Sequence, residues 1–216
     1  MKAPGCFIVI EGIDGSGSTT QADLLASELR RRGRRVTQTR EPTSGPIGAL
    51  IRQVLTHRLG VTGAEGRWRA PAWTTMALLF AADRCDHGDV LIRPRLEQGE
   101  IVISDRYLLS SLAYQSLTAD EPDALEWIRG INQQALQPDL TIVLDIDAEL
   151  AAERRSSRGG APELYELDEL QRRLAAFYAR GHELLPGRVL HVDASGTPNR
   201  VHEAILQAFE KTMDGS

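Results

Sequence analysis

The sequence predicts an α/β fold, a five-stranded parallel sheet covered by helices on both faces. Three observations carry that prediction. Five short strand-like runs, at 6–11, 35–40, 100–104, 140–146 and 188–193, recur along a chain of 216 residues, the second (RVTQTR) mostly polar. Helical patterns fill the intervals and the end, at 19–32, 46–56, 72–97, 107–117, 121–135, 148–158, 166–184 and 197–213. Short, largely apolar β runs separated by helices imply a parallel sheet covered on both faces. The length suits a single domain over 1–216 with a sizeable core, and 42% apolar with 25% charged residues is ordinary for a soluble globular chain.

The first strand, CFIVIE, runs straight into Gly12-Ile13-Asp14-Gly15-Ser16-Gly17-Ser18-Thr19. The phosphate-binding template is G-x-x-x-x-G-K-[ST]. Gly12, Gly17 and Thr19 fit it, and Ser18 stands where the lysine belongs. In such a loop the glycines let backbone N–H groups curl around phosphate oxygens, and the helix start adds its positive dipole end. The Thr19 hydroxyl would face a Mg²⁺ bridging the phosphates. None of this needs the lysine. What is lost is one mobile positive charge, and removing an electrostatic element of that kind costs roughly 10²–10³ in rate. A glycine-rich turn without phosphate is the competing reading, against which strand, spacing and Thr19 agree.

The second strand leads to Glu41-Pro42 and the third to Ser104-Asp105-Arg106-Tyr107. Ligands of open parallel sheets gather at the carboxyl ends of the strands, which sets Gly12–Thr19, Glu41–Pro42, Asp105–Arg106 and Asp147 on one rim. Asp105, at a buried strand end, is placed as the second holder of Mg²⁺. Arg106 either clamps an anionic phosphate or takes part in an ion pair capping the next helix. The glycine-rich stretch 57–71 reads as a surface loop, with Arg67-Trp68-Arg69 inside it touching a ligand or packing. In the helix over 72–97, Phe80 and Arg84 are four apart and share a face. A ring to stack on a base and a guanidinium to bond its carbonyl suit a pyrimidine, although a helical Phe is usually core. Tyr107, Ser111 and Tyr114 fall on one face of the next helix. Residues 153–166 carry Arg154, Arg155 and Arg158 ahead of a Gly-Gly break. They read as a mobile arginine-rich lid over the phosphates or as a solvated helix face.

The formal net charge of −5 argues against binding a nucleic-acid polymer. Only Lys2 and Lys211 are lysines, and the other 23 basic residues are arginines. A charge replacing the loop lysine is therefore a guanidinium, always protonated and able to grip phosphate at two points. Genomic base composition produces the same bias. Cys6 and Cys85 have neither metal-site nor disulfide spacing. Without a leader pattern or a run approaching the ~18 apolar residues of a membrane span, a cytoplasmic protein with no membrane partner is expected.

Taken together, EGIDGSGSTTQ at 11–21, TREP at 39–42, LLFAADR at 78–84, SDRY at 104–107, SSLAY at 110–114 and PDLTIVLDID at 138–147 resemble the thymidylate kinases. These belong to the nucleoside-monophosphate kinase group of P-loop proteins, and the resemblance spans nearly the whole chain. It implies a five-stranded parallel sheet, transfer of the ATP γ-phosphoryl group to dTMP, a requirement for Mg²⁺, and a homodimer with an interface on the helix over 72–97. By position, Gly12, Asp14, Gly15, Ser16, Gly17, Ser18, Thr19 and Thr20 would bind ATP. Phe80 would stack on the thymine, Arg84 would bond its O4, and Ser111 would lie at the base edge. Tyr114 would lie near the sugar 2′ position and disfavour a ribonucleotide. Arg106 would hold the dTMP phosphate, and Glu41 and Pro42 would shape the acceptor pocket. Asp14 and Asp105 would organise Mg²⁺ and the acceptor phosphate, with Thr19 and Asp105 at the metal.

Two departures from the family pattern matter. Ser18 replaces the loop lysine, and the lid reads Glu163-Leu164-Tyr165-Glu166 where the family often has [DE]-R-x-E. Gly15 and Ser16 leave no arginine in the loop, as in the subgroup whose lid supplies the catalytic one. Arg154 or Arg158 is then the expected cation, one facing the phosphates while the other anchors the lid. Two other functions fit the same residues. One is a kinase for a different acceptor, such as dUMP or a deoxynucleoside. The other is a nucleotide-binding protein with little catalysis, which the two missing cations motivate.

Overall fold

The computed structural model describes residues 5–62, 66, 68–119, 121–158, 164–165 and 167–213. The first half contains β1 (Cys6–Gly12), α1 (Ser18–Arg31), β2 (Val36–Arg40), α2 (Pro46–Leu55), β3 (Val61–Thr62), β4 (Trp68–Arg69), α3 (Trp73–His87) and α4 (Arg93–Glu97). The second contains β5 (Ile101–Asp105), α5 (Leu108–Thr118), α6 (Ala124–Ile131), β6 (Leu140–Asp145), α7 (Ala148–Arg158), α8 (Asp168–Tyr178), α9 (Gly181–Leu184), β7 (Val189–Asp193) and α10 (Pro198–Met213).

Five strands form one parallel sheet in the order β2-β5-β1-β6-β7, as expected. Alternate residues of the apolar runs serve opposite layers. Ile8, Ile10, Ile103 and Ile142 meet Leu25 and Leu29 of α1 and Ile205 and Phe209 of α10. On the other face, Phe7, Val9 and Val102 meet Ile92 and Tyr107, while Val143 meets Leu109 of α5 and Leu174 and Tyr178 of α8. Fully burying each such aliphatic side chain contributes roughly 1.5–3 kcal/mol, which is why a slip of any central strand is excluded.

Register brings the strand ends together. Ile10 lies opposite Asp105 on β5, and Gly12 opposite Leu144 on β6. Past the strands, the Arg106 amide donates to the Ile10 carbonyl at 2.8 Å and the Glu41 amide to the Asp105 carbonyl at 3.1 Å. The loops after β1, β2 and β5 therefore share one rim.

Four expectations change. The stretch 57–71 is not all loop, because β3 and β4 pair antiparallel within it; Arg67 and the Trp68 side chain lie outside the described residues. The helix over 72–97 forms, with a π-helical turn at Gly88–Ile92 joining α3 to α4. The helix over 121–135 shortens to α6. The helix over 166–184 divides into α8 and α9. At that break the backbone approaches the sheet closely, since a Cβ on Gly181 would lie 3.1 Å from Leu109 Cδ2 and 3.2 Å from Val143 Cγ2. Among the described residues no helix is long and apolar enough to cross a membrane.

Candidate functional site

β1 ends at Gly12, and the chain turns through Ile13 to Gly17 into α1. Gly15 (φ 95°) and Gly17 (φ 94°) occupy the left-handed region, which glycine enters without a steric cost. Gly15 meets a second constraint, because a Cβ there would lie 2.3 Å from the Ala151 carbonyl oxygen. Helix α7 thus rests directly on the loop. Ser18 opens α1 and is buried, whereas Thr19 and Thr20 in the first turn are exposed. The first N–H groups of a helix have no intrahelical acceptor and favour an anion. The buried Ser16 hydroxyl has no hydrogen-bond partner among the described residues.

Thr19 Oγ1 donates to Asp105 Oδ2 at 2.5 Å, joining the loop to the end of β5. The other carboxylate oxygen, Oδ1, is buried and lacks a partner among the described residues. An unsatisfied buried acceptor of this kind costs about 1–3 kcal/mol, so the atom calls for a ligand. A hydroxyl beside a carboxylate suits a hard cation that keeps much of its water, as Mg²⁺ does. Among the described residues no group of three or more His, Cys, Asp or Glu side chains is placed to cage a metal.

Arg106 is the hub of the rim. Its backbone is left-handed (φ 69°), a conformation that costs a side-chain-bearing residue roughly 1–2 kcal/mol. Its Nη2 donates to Asp14 Oδ1 at 2.5 Å and its Nη1 to the Gly12 carbonyl at 2.9 Å. The hydroxyls of Ser110, Tyr114 and Tyr178 also lie within 3.2–3.4 Å of Nη1. Asp14 Oδ2 in turn accepts from Tyr114 at 2.9 Å and from Gln171 Nε2 at 3.0 Å. Burial pushes both tyrosine hydroxyls well above the usual phenol range, so they remain protonated.

Arg106 does not cap the next helix. Glu11 does, its Oε1 accepting from the Tyr107 amide at 2.9 Å and the Ser110 amide at 3.2 Å. Its Oε2 accepts from the Ser110 hydroxyl at 2.6 Å. Burial raises the Glu11 carboxyl above the usual range, against the pull of the Ser110 hydroxyl and the Arg106 charge.

Beside this hub, Asp14, Glu41, Pro42, Phe80, Arg84, Arg106, Ser111 and Tyr114 all line one cavity of about 130 Å³. The sequence had drawn these eight from five separate segments. Phe80 is half-buried against Met76. Arg84 is fully buried, with Nη1 on Asn132 Oδ1 at 2.5 Å. Its Nη2 donates to Glu41 Oε2 at 2.7 Å, Ser111 Oγ at 2.8 Å and the Tyr107 carbonyl at 3.0 Å. Only its Nε lacks a partner among the described residues. His87 holds Glu41 from the other side, Nδ1 to Oε1 at 3.0 Å.

The segment after α7 reaches the same cavity. Tyr165 lines it, its ring 5.4 Å from that of Tyr114. Leu164 donates its amide to the Leu55 carbonyl at 3.0 Å and packs with the α2 cluster. Glu163, Glu166 and the Arg158 side chain lie outside the described residues. Arg154 Nη1 donates to the Ala194 carbonyl at 2.9 Å and Nη2 to those of Ser195 and Gly196 at 3.1 Å, so it ties α7 to the loop after β7. Arg155, its neighbour, donates from Nη1 to the Asp14 carbonyl at 2.7 Å. Asp147 is exposed on the rim and caps α7 through the Glu149 amide at 2.9 Å.

Sequence reasoning had no role for Glu11, Asn132, Gln171 or Tyr178 at this site, and placed Arg155 only within the arginine run of the lid. Glu11 carried the one available signal, a carboxylate closing an otherwise apolar run.

A family profile described as thymidylate kinase matches residues 10–205. A Pyrococcus abyssi protein named "Probable thymidylate kinase" is 42% identical over 98% of both chains. Proteins named "Thymidylate kinase" from Leifsonia xyli and Gluconobacter oxydans are 41% and 37% identical, the first over 98% of this chain and 96% of its own, the second over 99% and 98%. With its loop, its sheet and this similarity along nearly its whole length, the chain belongs to the thymidylate kinase family of phosphotransferases.

Proposed function

We propose that the protein phosphorylates dTMP with ATP, giving dTDP and ADP. The observation that carries this reading is the convergence of Phe80, Arg84, Ser111 and Tyr114 on one cavity with Arg106 and Asp14 at the phosphate loop. Phe80 stacks on the thymine, and the unengaged Arg84 Nε is the donor left for a base carbonyl. Arg106 holds the dTMP phosphate. An oxygen of that phosphate attacks the γ-phosphorus as the bond to the ADP oxygen breaks, so charge shifts onto ADP without a covalent enzyme intermediate. Thr19 and Asp105 would hold Mg²⁺, which when bound neutralises charge on the phosphate oxygens. Residues 12–20 bind the ATP phosphates. The lid over 153–166 closes on them, anchored by Arg154 and bringing Arg158 inward. The protein works in the cytoplasm as a homodimer, for which the exposed Leu78 and Val90 along the 72–97 helix offer an apolar face.

Initial rates of ADP release with Mg²⁺-ATP and dTMP, dUMP, UMP, dCMP, dGMP or thymidine test the reading. Turnover selective for dTMP is expected. Faster turnover of another acceptor, or ATP binding with no turnover on any, would overturn it.

A further inference from the structure

Ser18 leaves the loop one positive charge short. Three described guanidinium groups lie close enough to be weighed for that place, and their partners separate them. Arg106 is committed to Asp14 and the Gly12 carbonyl on the acceptor side. Arg154 is spread over the three carbonyls of 194–196. Arg155 alone touches the loop's backbone from the lid side, Nη1 lying 2.7 Å from the Asp14 carbonyl oxygen. That carbonyl directly precedes Gly15, where the cradle of N–H groups begins.

The approach has a cause in the sequence. Ala151 and Arg155 are four apart on α7 and share a face. The Ala151 carbonyl rests where a Gly15 side chain would be, 2.3 Å from the Cβ position. A bare Gly15 thus lets α7 sit down on the loop, and one turn later Arg155 arrives beside it. Its side chain is 11% exposed, and its carboxylate partner Asp168 is 75% exposed and 3.5 Å away. Such a partner holds weakly and is screened by salt. A neutral carbonyl and a solvated carboxylate are contacts a phosphate can displace.

We infer that Arg155 supplies to the ATP phosphates the charge that Ser18 does not, turning from the Asp14 carbonyl to phosphate oxygens when nucleotide fills the loop. A guanidinium can take two phosphate oxygens at once, which an ammonium cannot do with the same geometry. The inference rests on the dTMP kinase reading for its rate effect and on ATP binding alone for its contact.

The test compares wild type, Arg155→Ala, Ser18→Lys and the double variant Ser18→Lys/Arg155→Ala. Each is measured for kcat, dTMP KM, thermal melting and affinity for a non-hydrolysable ATP analogue and for AMP. Arg155→Ala should lower kcat by roughly 10²–10³ with dTMP KM within about threefold, and weaken the analogue more than AMP. Restoring an ammonium at position 18 should recover at least about tenfold of the lost kcat, with the Ser18→Lys single variant as reference. An Arg155 that merely clips α7 to the loop gives no such rescue. A double variant as slow as Arg155→Ala, while melting like wild type, overturns the inference, as does Arg155→Ala with unchanged kcat and analogue affinity. A wild type without turnover would sink the dTMP kinase reading instead, and the analogue-against-AMP comparison would still decide on Arg155.

Discussion

Arg106 Nη2 lies 2.5 Å from Asp14 Oδ1, so in the free protein the expected phosphate clamp is held by the carboxylate of the phosphate loop. The same pairing aligns the guanidinium before substrate arrives. Arg106→Ala removes a charge-assisted bond to the substrate phosphate, worth about 1.5–3 kcal/mol, or roughly 10–150-fold in affinity. Calorimetric titration should show that loss for dTMP and less than about a threefold loss for thymidine. Equal losses for both would remove Arg106 from the phosphate.

The backbone at the same position makes a separate prediction. With φ at 69°, Arg106 sits where glycine is at ease. Arg106→Gly should therefore melt above Arg106→Ala, by an amount equivalent to about 1 kcal/mol. Identical melting curves would show that the turn is not strained.

Thr19 and Asp105 share a hydrogen bond while Asp105 Oδ1 has no partner among the described residues. Asp105→Asn keeps an acceptor for Thr19 and removes the negative charge. The Mg²⁺ concentration for half-maximal turnover should rise at least about tenfold with little change in melting. Chelation by EDTA should abolish turnover in wild type. An unaltered Mg²⁺ dependence in the variant would place the metal elsewhere.

Arg84 and Glu41 form a buried ion pair, their side chains 1% and 3% exposed. Arg84→Ala leaves the buried Glu41 carboxylate with His87 as its remaining ionic partner among the described residues and should cost about 3–5 kcal/mol in denaturant unfolding. Adding Glu41→Gln should recover part of that loss. A cost below about 1 kcal/mol would mean that water enters and solvates Glu41.

Glu11 is a buried acid whose carboxyl is raised, so the folded state holds its proton more tightly than the unfolded chain. Its stabilising contribution is full below the ordinary carboxylate range and is lost as pH rises through the raised folded value. Glu11→Gln keeps an acceptor for the Tyr107 and Ser110 amides but cannot ionise. The stability of wild type relative to this variant should fall as pH climbs from the ordinary carboxylate range, read by urea unfolding at a series of pH values. A pH-independent difference would show that Glu11 does not titrate on unfolding.

Much of the architecture was legible because the central parallel strands are apolar runs buried on both faces: 140–146 was expected where Leu140–Asp145 forms. β3 and β4 left no trace, two residues each being too short for any period. The π-turn at Gly88–Ile92 changes a hydrogen-bond step without changing the apolar pattern. The break before Gly181 answers to Leu109 and Val143, which are distant in sequence. The site divides the same way. Strand-end motifs named Asp14, Asp105 and Arg106, whereas Gln171 and Tyr178 reach Asp14 and Arg106 only through the docking of α8. Within the arginine run, i, i+4 spacing singled out Arg154 and Arg158; which residue touches the loop depends on how α7 is seated, and among the described side chains of the run that residue is Arg155.

The seat of α7 on Gly15 gives catalytic competence a thermal history of its own. If the phosphates depend on a guanidinium carried by α7, local opening of that one helix disarms the loop while the five strands remain folded. Activity on warming should then fade ahead of the global transition. The gap between the two curves measures the grip of a single helix on a single glycine.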